Sequence, residues 1–169
     1  RPDLADRVIL IDPANDTQPV VGVNPLPEAA GHLDFMVSTL VEGCLKAWGQ
    51  TDPKSTPRIA RWLENIFHVI AVNDLTLLET APLIRTSNNA ERDKLLTGAQ
   101  SDLIRDDWMM FQKAQPRERE AYMEGASNRL RAFLQSSAIR NMIGQRDQRI
   151  DSWARDAHEA SSLGVPRCP

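Results

Sequence analysis

The sequence predicts a mainly α protein: an irregular multi-helix bundle of seven or eight helices with one short N-terminal strand. Three observations predict it. Apolar residues recur at three- and four-residue spacing from Leu33 to Ile143, as in helices that bury one face. Glycine is sparse, at eight residues in 169, whereas a β-rich chain needs turn glycines and β-branched runs. The run Val8-Ile9-Leu10-Ile11, closed by Asp12-Pro13, fits a short strand buried on both faces. No partner strand is evident elsewhere, so its pairing is expected outside this chain.

The elements follow in order. Residues 14–27 are a loop set by Pro19, Pro25 and Pro27. The stripe Leu33, Met36, Val37, Leu40, Val41, Cys44, Leu45 and Trp48 predicts a helix that Gly49 ends. Pro57 suits the first turn of the next, whose stripe is Ile59, Trp62, Leu63, Ile66, Phe67 and Ile70, with Asn73 as its stop. Thr76 and Glu79 form a capping box before a short helix through Ile84, distorted near Pro82. Asn88 or Asn89 caps a brief helix holding Leu95 and Leu96. Ser101 or Asp102 opens another, with Leu103, Ile104, Trp108 and Phe111 inward. Pro116 starts a longer helix carrying Tyr122, Met123, Ala126, Leu130, Phe133 and Leu134. Ser136 or Ser137 caps a last turn, Ile139 to Ile143, stopped by Gly144. Residues 145–162 keep a weak helical pattern, and 163–169 read as a tail. The domain division is therefore 1–27 as strand and Pro-rich loop, 28–145 as the helical unit, and 146–169 as a weakly helical end.

Charge is distributed unevenly. The net charge is −3, but residues 1–50 carry three basic and seven acidic groups. Residues 125–150 carry Arg129, Arg131, Arg140, Arg146 and Arg149 against Asp147 alone. Such a stretch is a candidate anion-binding face, or else a set of solvated helix positions. Two cysteines make no disulfide framework: Cys44 reads as a small core residue and Cys168 lies in the tail. No apolar run reaches the roughly 18 residues of a membrane span, and no signal peptide is visible, so no membrane contact is expected. The start Arg1-Pro2-Asp3 suggests a piece of a longer protein.

No catalytic centre is legible. The chain has no G-x-x-x-x-G-K-[ST], no G-x-G-x-x-G and no G-x-S-x-G. His32, His68 and His158 lack partners at metal-ligand spacing. His68 reads as a satisfied structural histidine beside an apolar face. Asp106 and Asp107 point about 100° apart on a helix and read as solvated surface. The tryptophans sit at core spacing and fill space rather than stack on bases.

A sequence of short motifs nevertheless has a recognisable order. The strand through Asp12-Pro13 is followed by Gly22-Val23-Asn24-Pro25-Leu26. Then come Pro57-Arg58 through Val72, Leu75 to Ile84, and Ile104-Arg105-Asp106-Asp107-Trp108. Last are Asn128-Arg129-Leu130, Phe133-Leu134, Ile139-Arg140 and Ile143-Gly144-Gln145. Over residues 7–145 this resembles DNA-translocating P-loop ATPases of the conjugative coupling-protein (TraG-type) and HerA superfamily. The motif residues are Asp12, Pro13, Asn24, Pro25, Leu26 and Trp108. Two departures stand out: the family more often has Lys where Arg129 stands, and residues 146–169 do not run on into an apolar strand and a Walker B.

The resemblance implies a helical insertion between the Walker A and Walker B segments. It contributes substrate or partner recognition for DNA transfer or type IV secretion, and no catalysis. ATP and Mg are implied for the parent only; the segment itself is expected to hold no cofactor or metal. The implied parent is a hexameric, cytoplasmic motor, anchored at the inner membrane in some members. Implied partners are the parent ATPase core, DNA, and transfer or secretion substrate proteins. Arg129, Arg131, Arg140, Arg146 and Arg149 would then meet phosphates. The alternative is a stand-alone helical protein-interaction module with no DNA role.

Overall fold

The computed structural model describes residues 22–26, 32–50, 56–99 and 101–146. Among these residues it has seven α-helices, one 3-10 turn and no strand. They are α1 (Leu33–Ala47), α2 (Pro57–Val72), the 3-10 turn Leu77–Glu79, α3 (Thr80–Leu83), α4 (Ala90–Leu96), α5 (Asp102–Lys113), α6 (Pro116–Gln135) and α7 (Ser137–Ile143). The mainly α expectation is met. The strand expected at 8–11, Asp12, Pro13 and Arg149 lie outside the described residues.

The central element is α2. A surface helix buries a stripe, but a helix enclosed by neighbours is buried all round. From Trp62 to Ile70 every residue of α2 except Glu64 is buried, because α1, α3, α4 and α6 all pack on it. Gly125 explains how α6 comes so close. A Cβ there would lie 2.7 Å from Ile59 Cγ1, so any larger residue would force the Ile59 side chain to shift.

Aromatic rings fill the space between α2, α5 and α6. Trp62 meets Trp108 at 5.3 Å and Phe111 at 5.4 Å between centroids, both edge-on, and Tyr122 lies 6.0 Å away. Such pairs contribute about 0.5–1.5 kcal/mol beyond the area they bury. On the other side of the unit, Trp48 meets Phe133 edge-on at 5.0 Å. Cys44 is buried, as its helical spacing predicts.

The helix ends follow local chemistry. Gly49, at φ 74°, takes the left-handed conformation that ends α1. The Thr76 backbone N–H donates to Glu79 Oε2 at 2.8 Å, and Leu78 N–H donates to Thr76 Oγ1 at 3.3 Å. Asn89 Oδ1 caps α4 by accepting from Glu91 N–H at 3.0 Å, and Ser136 Oγ caps α7 by accepting from Ile139 N–H at 3.3 Å.

One expected core position is corrected. Leu103 is 78% exposed. The inward stripe of α5 is Ile104, Trp108 and Phe111, at i, i+4 and i+7. Leu103 stands one residue, about 100°, off it.

Residues 22–26 fold back onto the helical unit. Val23 N–H donates to Met142 O at 3.0 Å, the Leu26 side chain is buried in the core, and Leu26 N–H donates to Asn24 Oδ1 at 3.1 Å. The segment leading into the unit and the end of its last helix are therefore in direct contact.

Candidate functional site

The arginines singled out by sequence divide between packing and surface. Arg129 is half-buried in α6: its Nη1 donates to Gly125 O at 3.0 Å, and its guanidinium lies 6.0 Å from the centre of the Trp48 ring. Arg131, two residues on, is exposed and lines a different surface. Arg140 on α7 and Arg146 beyond it are exposed. None of these four makes an ion pair among the described residues.

Arg131 belongs to a groove of about 690 Å³ between α6 and residues 84–87. The α6 wall is one helix stripe: Arg117, Glu120, Glu124, Ser127, Asn128 and Arg131. Arg85, Thr86 and Ser87 form the other wall. Its charges are uncommitted: Arg85, Arg117, Arg131, Glu120 and Glu124 form no ion pair among the described residues.

Two further arginines hold the loop wall in place. Arg92 is 1% exposed, donates from Nη1 to Arg85 O at 2.8 Å, and lies 5.1 Å from the centre of the Phe111 ring. Burial lowers its pKa, and neighbouring Asp93 partly restores it. Arg119 donates from Nη1 to Thr86 O at 3.2 Å and to Asn88 Oδ1 at 2.8 Å. The carbonyls of a loop without secondary structure thus find donors, which fixes the backbone that carries Arg85.

A second hollow, a cleft of about 420 Å³, opens between α1, α2 and α5. On α2 it is lined by Arg61, Glu64, Asn65 and His68, a single face at i, i+3, i+4 and i+7. Asp34, Val37 and Ser38 come from α1; Ile104 and Asp107 come from α5.

The cleft contradicts two expectations from sequence. Asp107 is not simply solvated. It takes a bidentate hydrogen bond from Arg61, with Nε to Oδ2 at 2.6 Å, and a further bond from Asn65 Nδ2 at 2.8 Å. The Arg61 hydrogen bond holds the Asp107 carboxyl below its ordinary value, against the opposing effect of burial, and Asn65 assists. The same bond raises Arg61. Adjacent Asp106 is exposed, as expected. His68 is buried, at 4% exposure, but it is not satisfied: Nδ1 has no hydrogen-bond partner among the described residues. Desolvation lowers its pKa, and Asp34 partly opposes this. Glu64 is exposed as a residue, yet partial desolvation against the cleft wall raises its carboxyl.

Other chemistry-bearing groups do not converge. Burial pushes the Cys44 thiol up to about 11, away from nucleophilic thiolate. Among the described residues no three His, Cys, Asp or Glu side chains stand where they could hold a metal ion, and no helix is long and apolar enough to cross a membrane. Of the motif residues, Asn24, Leu26 and Trp108 are buried and Pro25 is half-buried. No protein-family model, curated protein or solved structure matches the chain.

Proposed function

We propose that residues 28–145 are a helical accessory domain of a DNA-translocating ATPase of the coupling-protein or HerA-like kind, serving substrate or partner recognition rather than chemistry. The contact between residues 22–26 and α7 carries this proposal. A domain inserted into a host must leave it and return at nearly the same place, so its two ends must adjoin. Val23 N–H bonds to Met142 O, which brings the two ends within one hydrogen bond. These ends also hold the flanking motifs of the resemblance, Gly22–Leu26 and Ile143–Gln145.

The groove is the surface best suited to a polyanion. Arg85, Arg117 and Arg131 are free of ion pairs among the described residues. Arg117 and Arg131 lie fourteen residues apart on one helix, about 21 Å at 1.5 Å per residue. That span covers several phosphates. Glu120 and Glu124 between them oppose tight binding, so contact is weak and strongly salt-dependent.

The test is fluorescence anisotropy of this chain with a labelled duplex across 25–300 mM salt. The expected log–log slope is about 0.9 per phosphate contacted. Replacing Arg85, Arg117 and Arg131 together with Ala should reduce that slope by up to roughly three. Absence of binding at 25 mM salt would end the DNA role. A stand-alone protein-interaction module would then be favoured by a different observation: Phe35 and Leu103 are 74% and 78% exposed, and Met109 and Met110 are also exposed.

A further inference from the structure

The cleft between α1, α2 and α5 contains hydrogen-bond acceptors that the fold does not use. Asn65 is 4% exposed, and its Nδ2 is committed to Asp107. His68, equally buried, lines the same space with Nδ1 unpartnered. A buried polar atom without a partner costs about 1–3 kcal/mol, so a ligand that satisfies it gains a corresponding advantage.

The charges of the cleft define what that ligand is. Arg61 and Asp107 neutralise each other. Asp34 and Glu64 remain, both negative and both without an ion pair among the described residues. An anion is therefore repelled, and the donors of the lining are already engaged in part by Asp107. Val37 and Ile104 add apolar wall.

We propose that this cleft binds an organic ammonium cation carried on a short apolar stem. A primary ammonium has three N–H donors and no acceptor. The cleft offers three acceptors on one face of α2: the His68 ring, Asn65 Oδ1 and the Glu64 carboxylate. Asp34 supplies further negative potential from α1, and the stem lies against Val37 and Ile104. A volume of about 420 Å³ suits a small molecule or one side chain. The proposal uses none of the groove's residues and stands whether or not the groove binds DNA.

The test follows the His68 imidazole by ¹H–¹³C NMR in the full chain. The probes are n-butylamine, 1,5-diaminopentane, butyrate and a doubly capped lysine. Both amines should shift the His68 signals in a saturable way, and butyrate, with its matched stem and opposite charge, should not. Tighter binding of capped lysine than of n-butylamine would assign the cation to a partner protein's side chain; the reverse would assign it to a free amine. Glu64→Gln should weaken amine binding at least tenfold, because the residue is exposed and its loss should not disturb folding. Arg85→Ala should leave binding unchanged. No His68 shift up to 10-fold molar excess at millimolar protein, an equal shift with butyrate, or full binding by Glu64→Gln would each overturn the proposal.

Discussion

The two hollows of this molecule are built in opposite ways. In the cleft, one pair of opposite charges is spent internally: Arg61, Asn65 and Asp107 close a hydrogen-bonded triad between α2 and α5. What remains open there is a buried imidazole beside two carboxylates, Asp34 and Glu64, that form no ion pair among the described residues. In the groove, all five lining charges stay unpaired among the described residues, and the fixed groups are backbone carbonyls held by Arg92 and Arg119. Internal pairing suits a site that must keep one shape for a small ligand. Unpaired charge on a clamped loop suits a surface that meets a large, screened polyanion.

The largest effect should come from the support beneath the cleft. Trp62 is one residue from Arg61 and three from Asn65, and its ring touches Trp108, Phe111 and Tyr122. Trp62→Ala should lower the unfolding free energy by about 3–5 kcal/mol, measured by urea denaturation. A loss below about 1 kcal/mol would mean that the aromatic cluster is not what holds α2 to α5.

A smaller effect should come from the groove's clamp. Arg92→Met removes the donor to Arg85 O but replaces a buried charge with an apolar chain of similar length. The two changes partly offset, leaving a net loss of about 1 kcal/mol. The distinguishing readout is local: trypsin should cut faster after Arg85, while the His68 signals of the cleft stay where they are. Perturbation of both hollows together would show that they are not independent.

The helices were legible because the long ones repeat apolar residues at helical spacing and several short ones carry a capping side chain. Trp108 and Phe111 fall on the stripe of α5, and Asn89, Thr76 and Ser136 sit where a cap is needed. The hollows were much less legible. The face Arg61, Glu64, Asn65 and His68 has visible helical spacing, but its meaning depends on Asp107, 46 residues from Arg61 in the chain. By sequence Asp107 reads as solvated, because a single sequence does not say which helix will pass over it. Arg131 stands out by local charge, whereas Arg85 and Arg117 do not, because a loop and the start of a helix carry no shared period. Gly125 gave no sign of its role, since close approach to Ile59 depends on how α6 crosses α2.

The smallest predicted effect separates the hollows by pH. His68 faces Asp34 from α1, Arg61 and Glu64 from its own helix, and Asp107 from α5. Desolvation lowers its folded pKa below the ordinary 6.5, so the unfolded chain takes up a proton first. Its contribution to stability is complete above 6.5 and is lost as pH falls through 6.5 towards the folded value. Asp107 is also lowered, from 3.8, so its contribution persists above 3.8 and fails only at lower pH. Glu64 runs the other way: its folded pKa is raised from 4.5, so its contribution is present below 4.5 and lost as pH rises through the folded value. Of the two groups that are lowered, only His68 has its ordinary value inside the interval from pH 7.5 to 6. The melting temperature should fall across that interval in the parent chain and in Arg85→Ala, and should stay level in His68→Gln. A level profile in the parent chain would mean that Asp34 accommodates the imidazolium within the cleft. In that case an ammonium ligand would compete with a proton for the same negative potential, and its binding, rather than stability, would carry the pH dependence.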